Sequence, residues 1–465
     1  MQIHDVLTHI DSNLDPARER WFEFLRIPSI SAQPAHAADC VRTAEWVRDQ
    51  LIAIGFEAAL QPTAGHPVVL GHHPGPGPDA PHVLFYGHYD VQPADPLALW
   101  DADPFDPKLT DGPHGPRVVA RGAVDDKGQV MTWLEAMRAW HATTGTLPVR
   151  VTVLVEGEEE VGSPNLEPFL LAQRAALQAD VAVISDTGMW DIDTPALTTR
   201  LRGMVYAQIN LRAADKDLHS GMFGGSALNP INALTRILGE LHDAEGRIQL
   251  PGFYDGIPVI SNALAVEWDG LGFDEAAFLG GVGLKTPVGE KAYPALQRLW
   301  GRPTADINGI WGGYQGAGSK TVIASEAGAK VSFRLVPGQD PARVVEGLRA
   351  FVEDRKPADA QVEIEVFSTA PGVEIPDESR YVQLARTALA EEYGRPAVLI
   401  GCGGSIPVVE SMHRLLGLDS LLMGFGLEDD QVHSPNEKFE FRCFHQGIRA
   451  HARLLGALGG PRDPG

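Results

Sequence analysis

His82-Val83-Leu84-Phe85-Tyr86-Gly87-His88-Tyr89-Asp90 is the stretch that decides the fold. Its first half is an unbroken apolar run without polar alternation, the pattern of a strand covered on both faces, and it runs out into an imidazole and a carboxylate. The same arrangement recurs downstream. Arg121-Gly122-Ala123-Val124-Asp125-Asp126-Lys127-Gly128 leads into a helix marked by Val130, Trp133, Leu134 and Met137. Val149 to Val155 is a β-branched strand followed by Glu156-Gly157-Glu158-Glu159-Glu160, and Val181 to Ile184 is followed by Ser185-Asp186. Apolar strands alternating with helices predict an α/β sheet with both faces covered, and ligands collect beyond the carboxyl ends of such strands. His88, Glu159, Glu160 and Asp186 all stand at those ends.

Towards the N-terminus, Asp15-Pro16 predicts a helix start with Asp15 as N-cap, and Val41 to Ile54 a second helix that stops at Gly55. Near Leu201 the pattern changes. Val205 to Leu211, Lys330 to Leu335 and Val362 to Phe367 alternate as half-buried strands, and Asn229 to Leu241 and Asp340 to Val352 read as helices. This β-α-β-α-β series predicts a smaller ferredoxin-like α+β module inserted into the first domain. The Gly- and Pro-rich stretch 250–299 takes no assignment. After residue 370 the α/β pattern resumes, with a helix over Tyr381 to Tyr393 and a strand Leu421 to Phe425 leading to His433. The expected organisation is a two-domain α/β protein: a mixed-sheet α/β/α domain from 1–199 and 371–465, and an inserted domain over 200–370.

The chain has 465 residues, more than one hydrophobic core usually supports, and a formal charge of −23 that would repel a phosphate backbone. Nucleic acid is excluded as a partner on that ground. No apolar run is long enough to span a bilayer and the start Met1-Gln2-Ile3-His4-Asp5 lacks a secretory pattern, so a cytoplasmic protein without membrane association is expected. Three cysteines, Cys40, Cys402 and Cys443, form no metal-binding spacing, which leaves His, Asp and Glu as ligands.

Each chemical signal has a plain structural alternative. His88 and Asp90 can be loop residues, or Asp90 can fix the imidazole for a metal by accepting its second ring proton. Asp125-Asp126 can cap the following helix or aim a carboxylate into the cleft. Glu158-Glu159-Glu160 can be a solvated loop, but three adjacent acids repel one another unless cations or protons neutralise them. Neighbouring carboxylates can also divide two tasks, one holding an ion and the other taking a proton from water. Their joint occurrence at successive strand ends, with His433, points to a hydrolase that uses a pair of divalent cations.

Tyr86-Gly87-His88-Tyr89-Asp90-Val91-Gln92-Pro93, Asp125-Asp126-Lys127-Gly128, Glu159-Glu160-Val161-Gly162-Ser163 and His433-Ser434-Pro435-Asn436-Glu437-Lys438 resemble, in order, the motifs of the carnosinase-like metallodipeptidases. These belong to the superfamily of aminoacylase, carboxypeptidase G and acetylornithine deacetylase. The resemblance implies a two-domain homodimer with two zinc or manganese ions, cobalt being a further candidate. By matching residues, His88 and Asp186 would hold one ion, Glu160 and His433 the other, and Asp125 would bridge them across a cis Asp125–Asp126 peptide. Glu159 would be the general base and Asp90 would orient His88.

In the inserted module, Lys216-Asp217-Leu218-His219-Ser220-Gly221 resembles a lid segment whose histidine reaches the neighbouring subunit's site. Thr321 in Gly318 to Ile323, Arg334 in Phe333 to Pro337, and Ser405 in Gly403-Gly404-Ser405 resemble substrate-binding positions, with Arg334 facing a substrate carboxylate. The implied activity is cleavage of small peptides with a free C-terminal carboxylate. N-acyl-amino-acid deacylation is the alternative, because Cys402 stands where many of these dipeptidases carry glutamate. A catalytically inactive binding protein is the remote alternative, disfavoured by the full set of matched residues. A phosphate-binding loop at Gly313 to Thr321 fails because Ser319 separates the last glycine from Lys320, and no Gly-x-Ser-x-Gly elbow supports a serine hydrolase.

Overall fold

The computed structural model describes residues 2–404 and 406–460. Two compact units divide the chain: Met1–Thr199 with Ile375–Ile400 and Pro407–Gly465, and Arg200–Glu374 with Gly401–Ile406. The second unit runs past residue 370 because Val373 and Glu374 pair with Leu201 and Arg200. It takes in the glycine-rich turn, where the Arg202 N–H donates to the Gly404 carbonyl at 3.1 Å.

In the first unit, strands of the main sheet lie in the order Glu57–Gln61, Val68–His73, Arg150–Glu156, His82–His88, Val181–Ile184, Ser420–Leu422 and Ala196–Leu201, with Val398–Cys402 also paired to Ala196–Leu201. The four from Arg150–Glu156 to Ser420–Leu422 run parallel, and the flanking pairings are antiparallel. Val83 to Tyr86 and Val151 to Val155 are buried, as strands covered on both faces must be. The helix Lys127–Thr144 is buried along most of its length and ends at Gly145, whose φ of 77° suits a residue without Cβ. Its Trp133 ring packs 5.4 Å from Phe85 of the central strand. Trp140 Nε1 donates to the Ala452 carbonyl of the helix Phe441–Leu458 at 2.9 Å. Asp15 is not the N-cap of its helix. That helix spans Leu14–Leu25 behind Asn13, one residue after the helix Gln2–Ser12 ends, so Asp15 falls in the first turn and pairs with Arg18 at 2.8 Å.

In the second unit, a four-stranded antiparallel sheet has the order Thr304–Gly312, Glu326–Leu335, Gly203–Arg212, Gln361–Ala370. With the helices Pro230–Gly239 and Pro341–Arg355, chain order gives β-α-β-β-α-β, the ferredoxin-like split βαβ arrangement. The inward residues Val205, Ala207, Ile209 and Leu211 form one core with Leu234, Ile237, Leu348 and Phe351. The strand Thr304–Gly312, absent from the sequence reading, is a sheet edge with a register shift between Ile307 and Gly309 that breaks its alternation. Within the unassigned stretch lie short helices Asn262–Asp269 and Glu275–Gly281, capped by Ser261 and Asp274. Among the described residues no helix is long and apolar enough to cross a membrane.

Candidate metal centre

Parallel strands deliver their carboxyl ends to one edge of the sheet, and the candidate ligands collect there. His88 is the last residue of its strand and sits in register with Glu156 of the neighbouring strand. Glu159 and Glu160 open the short turn Glu159–Val161 just beyond Glu156. Asp186 lies two residues after Val181–Ile184, and the segment with His433 follows Ser420–Leu422. The Asp125–Asp126 peptide is cis.

Two groups of ligand atoms result, His88 with Asp125 and Asp186, and Asp125 with Glu160 and His433, each with its atoms within 4.8 Å of one another. Asp125 belongs to both, one oxygen to each. Its Oδ1 stands 3.2 Å from His88 Nε2, and its Oδ2 stands 2.9 Å from His433 Nε2. His433 Nε2 is also 3.2 Å from Glu160 Oε2, and His88 Nε2 is 4.0 Å from Asp186 Oδ2. Buried His88 Nε2 makes no aligned hydrogen bond despite its 3.2 Å approach to Asp125. Ligand atoms about 2.0–2.2 Å from a shared ion stand roughly 3.0–3.5 Å apart at octahedral to tetrahedral angles. The 2.9 and 3.2 Å spacings and the orphaned nitrogen are compatible with shared divalent cations, and the 4.0 Å gap between His88 and Asp186 is too long for a hydrogen bond.

The surrounding groups hold this arrangement. His88 Nδ1 is 3.1 Å from the Asp90 carbonyl oxygen and 3.4 Å from its Oδ1, so the backbone oxygen, rather than the expected carboxylate, is the nearer acceptor. The Asp90 carboxylate instead accepts the N–H groups of Glu159 at 3.3 Å and Glu160 at 3.1 Å, tying the His88 loop to the acidic turn. Two further residues, quoted in the sequence motifs without a role at the metal site, support the ligands. Gln92 Nε2 donates to Glu160 Oε2 at 2.8 Å, and Asp126 Oδ2 accepts the His88 N–H at 3.2 Å. Glu158, the first of the three acids, is buried and accepts from Asn165 Nδ2 at 2.8 Å, away from both clusters.

Electrostatics match a site built for cations. Burial together with the Asp125 carboxylate pushes Asp186 up to about 8, which means that its charged form lacks compensation. Burial also raises Glu159, with Glu160 and Asp125 adding to the shift against the pull of His88. Contacts with Asp125 and Glu160 push His433 up to about 10, and those with Asp125 and Asp90 raise His88 despite its burial. The two clusters set three carboxylates, Asp125, Glu160 and Asp186, against two imidazoles, and divalent ions would compensate the charge that burial disfavours on Asp186.

His219, Thr321 and Arg334 belong to the second unit. His219 is exposed, pairs with Val322 in a short antiparallel bridge, and accepts the Gly221 N–H on Nδ1 at 3.0 Å. The Thr321 carbonyl accepts the Ser220 N–H at 3.1 Å. Arg334 is half-buried, and among the described residues no carboxylate lies within ion-pair reach of its guanidinium. Ser405 lies outside the described residues.

Residues 84–457 match Peptidase family M20/M25/M40. The chain is 30% identical over 465 residues to "Cys-Gly metallodipeptidase dug1" of Schizosaccharomyces pombe, covering 97% of each protein. It is 29% identical to human "Beta-Ala-His dipeptidase" over 472 residues, covering 97% of this chain and 92% of that protein. The solved structure of an M20 family metallo-carboxypeptidase, Sso-CP2 from Sulfolobus solfataricus, superposes with a TM-score of 0.80 at 30% identity, covering 95% of this chain and 99% of that one. The chain belongs to peptidase family M20/M25/M40 and is a metallopeptidase.

Proposed function

We propose that this metallopeptidase is a dipeptidase that uses two divalent ions and acts on small peptides with a free C-terminal carboxylate. His88 and Asp186 would hold one ion, Glu160 and His433 the other, and Asp125 would serve both. The observation that carries this reading is the Asp125 carboxylate, whose two oxygens face two different imidazoles at 3.2 and 2.9 Å. Ligands of oxygen and imidazole nitrogen suit zinc or manganese, with cobalt as a further fit. When bound, such ions lower the pKa of a water and polarise a carbonyl.

The chain's own residues would do the rest. Glu159 would take the proton from the attacking water and deliver it to the departing amine, a task suited to a carboxylate that burial holds above its usual range. Asp90 would keep the Glu159–Glu160 turn and His88 in register through its two backbone bonds. Arg334, with no carboxylate in ion-pair reach among the described residues, would take the terminal carboxylate, assisted by Ser405, whereas Thr321, whose carbonyl accepts the Ser220 N–H, would act beside His219. The dipeptidase names of two relatives and the carboxypeptidase name of the third support a substrate that ends in a free carboxylate.

His219 would act from a partner subunit. Its bridge to Val322 adjoins the Glu326 end of the strand Glu326–Leu335, whereas Arg334 stands eight residues along it, roughly 26 Å away at about 3.3 Å per residue. One copy of this unit does not present both groups to one dipeptide, which supports a homodimer. A strictly monomeric, active enzyme by sedimentation would remove this part. Cys40, Cys402 and Cys443 form no disulfide among the described residues, in keeping with a cytoplasmic setting.

A panel of free dipeptides, their C-terminal amides and N-acyl amino acids, assayed with metal-loaded protein, tests the substrate class. The expected result is cleavage of free dipeptides and at least about 100-fold slower cleavage of the amides, whose missing charge leaves a guanidinium unpaired. Faster turnover of N-acyl amino acids would instead establish the deacylase reading that Cys402 favours.

A further inference from the structure

Glu437 lies four residues after His433, is fully buried, belongs to neither ligand cluster, and bonds to the backbone of the loop that carries Asp125. Its Oε1 accepts the N–H groups of Val124 at 3.0 Å and Asp125 at 3.1 Å. Its Oε2 accepts the Gly122 N–H at 3.0 Å and Arg121 Nη1 at 2.7 Å. Four donors converging on two oxygens is a full complement for a carboxylate, the one side-chain group that supplies four acceptor positions with no donor. Burial pushes this carboxyl up to about 7, opposed chiefly by Arg121 and the amides it accepts.

The segment that carries His433 needs such an anchor. Gln431, His433 and Asn436 all adopt left-handed backbone, with φ of 56°, 61° and 62°, which non-glycine residues rarely hold unaided. Upstream it is fastened by buried Asp430, which accepts from Lys438 Nζ at 2.6 Å and from the Leu427 N–H at 2.7 Å. Downstream, pairing of Lys438–Glu440 with Arg117–Val119 aligns the two segments, and Glu437 extends that alignment to the residue whose carboxylate faces both clusters.

We propose that Glu437 is a positioning residue: by gripping residues 121–125 from the segment that carries His433, it sets where Asp125 and His433 stand relative to each other, and thereby whether the chain holds a second ion. The inference rests on the two-ion reading above. The Glu160–His433 ion depends on both gripped segments, whereas the His88–Asp186 ion depends on Asp125 alone, so the former should suffer more.

The test is Co2+ titration of the metal-free chain, read by bound-ion stoichiometry and by visible absorption of the bound ions. Wild type and Glu437→Gln are compared, with circular dichroism and melting of the metal-free forms as the folding control. Glutamine keeps the volume but turns an amide N–H2 toward two of the donors. The expected result is two ions on wild type, and on Glu437→Gln a second ion weakened by about 10- to 100-fold with altered absorption. Both ions binding the variant with wild-type affinity and spectrum would overturn the inference, whereas fewer than two on wild type would remove the two-ion reading itself. Should Glu437→Gln not fold, Arg121→Met, which removes one donor, takes its place. A smaller weakening of the same ion supports the inference, and unchanged binding overturns it.

Discussion

Glu159 and Glu160 are adjacent in sequence yet set in different surroundings, and the division of labour between them follows from that. Glu160 reaches His433 and is steadied by Gln92, while Glu159 is raised by burial and by its anionic neighbours. Glu159→Gln should therefore leave metal content at the wild-type level while turnover of a free dipeptide falls by about 10²–10⁴-fold. Elemental analysis beside steady-state kinetics checks this, and full activity in the variant would eliminate Glu159 as the base. At this scale the sequence shows which residue types end each strand, and the structure brings five of them together. It does not show which atom of a residue acts. Asp90 meets His88 with its carbonyl nearer than its carboxylate, and the ties made by Gln92 and Glu437 depend on contacts between segments up to 316 residues apart.

At the scale of elements, the helix Phe441–Leu458 carries a titratable group that the chemistry does not use. His451 is fully buried, with Thr132 Oγ1 at 3.1 Å from Nδ1 and Ser185 Oγ at 3.1 Å from Nε2, and its ring lies edge-on to Phe425. Burial pushes its pKa down from 6.5 to about 3. Between those values the unfolded chain binds a proton that the folded chain does not. Stability is thus intact above pH about 6.5 and falls on acidification by about 1.4 kcal/mol per pH unit from this group. His451→Gln should flatten that slope in urea unfolding followed from neutral to acid pH, and equal slopes in the two proteins would contradict the assignment. Elements were legible where their pattern was strong. The buried strands and the helices over 341–355 and 380–393 stand out in the sequence, whereas the bulged edge strand Thr304–Gly312 does not. Asp15 misleads because a helix ending at Ser12 displaces the next start to Leu14.

For the whole molecule, the sequence order of the motifs carried the fold class: strand ends with acids and imidazoles, an alternating α+β insertion, then a return to the α/β pattern. Its limits were less legible, because Val373–Glu374 and the turn around Gly404 join the second unit through backbone pairing that composition does not encode. The two units also divide the proposed work, the first with the ligand clusters and Glu159, the second with Arg334 and His219. All of it depends on a cation pair flanking Asp125. Anomalous scattering from crystals of the manganese- or zinc-loaded protein tests this most directly. Two peaks per chain are predicted, one against His88 and Asp186 and the other against Glu160 and His433, each touching one oxygen of Asp125. A single peak, or peaks remote from that carboxylate, would contradict the account.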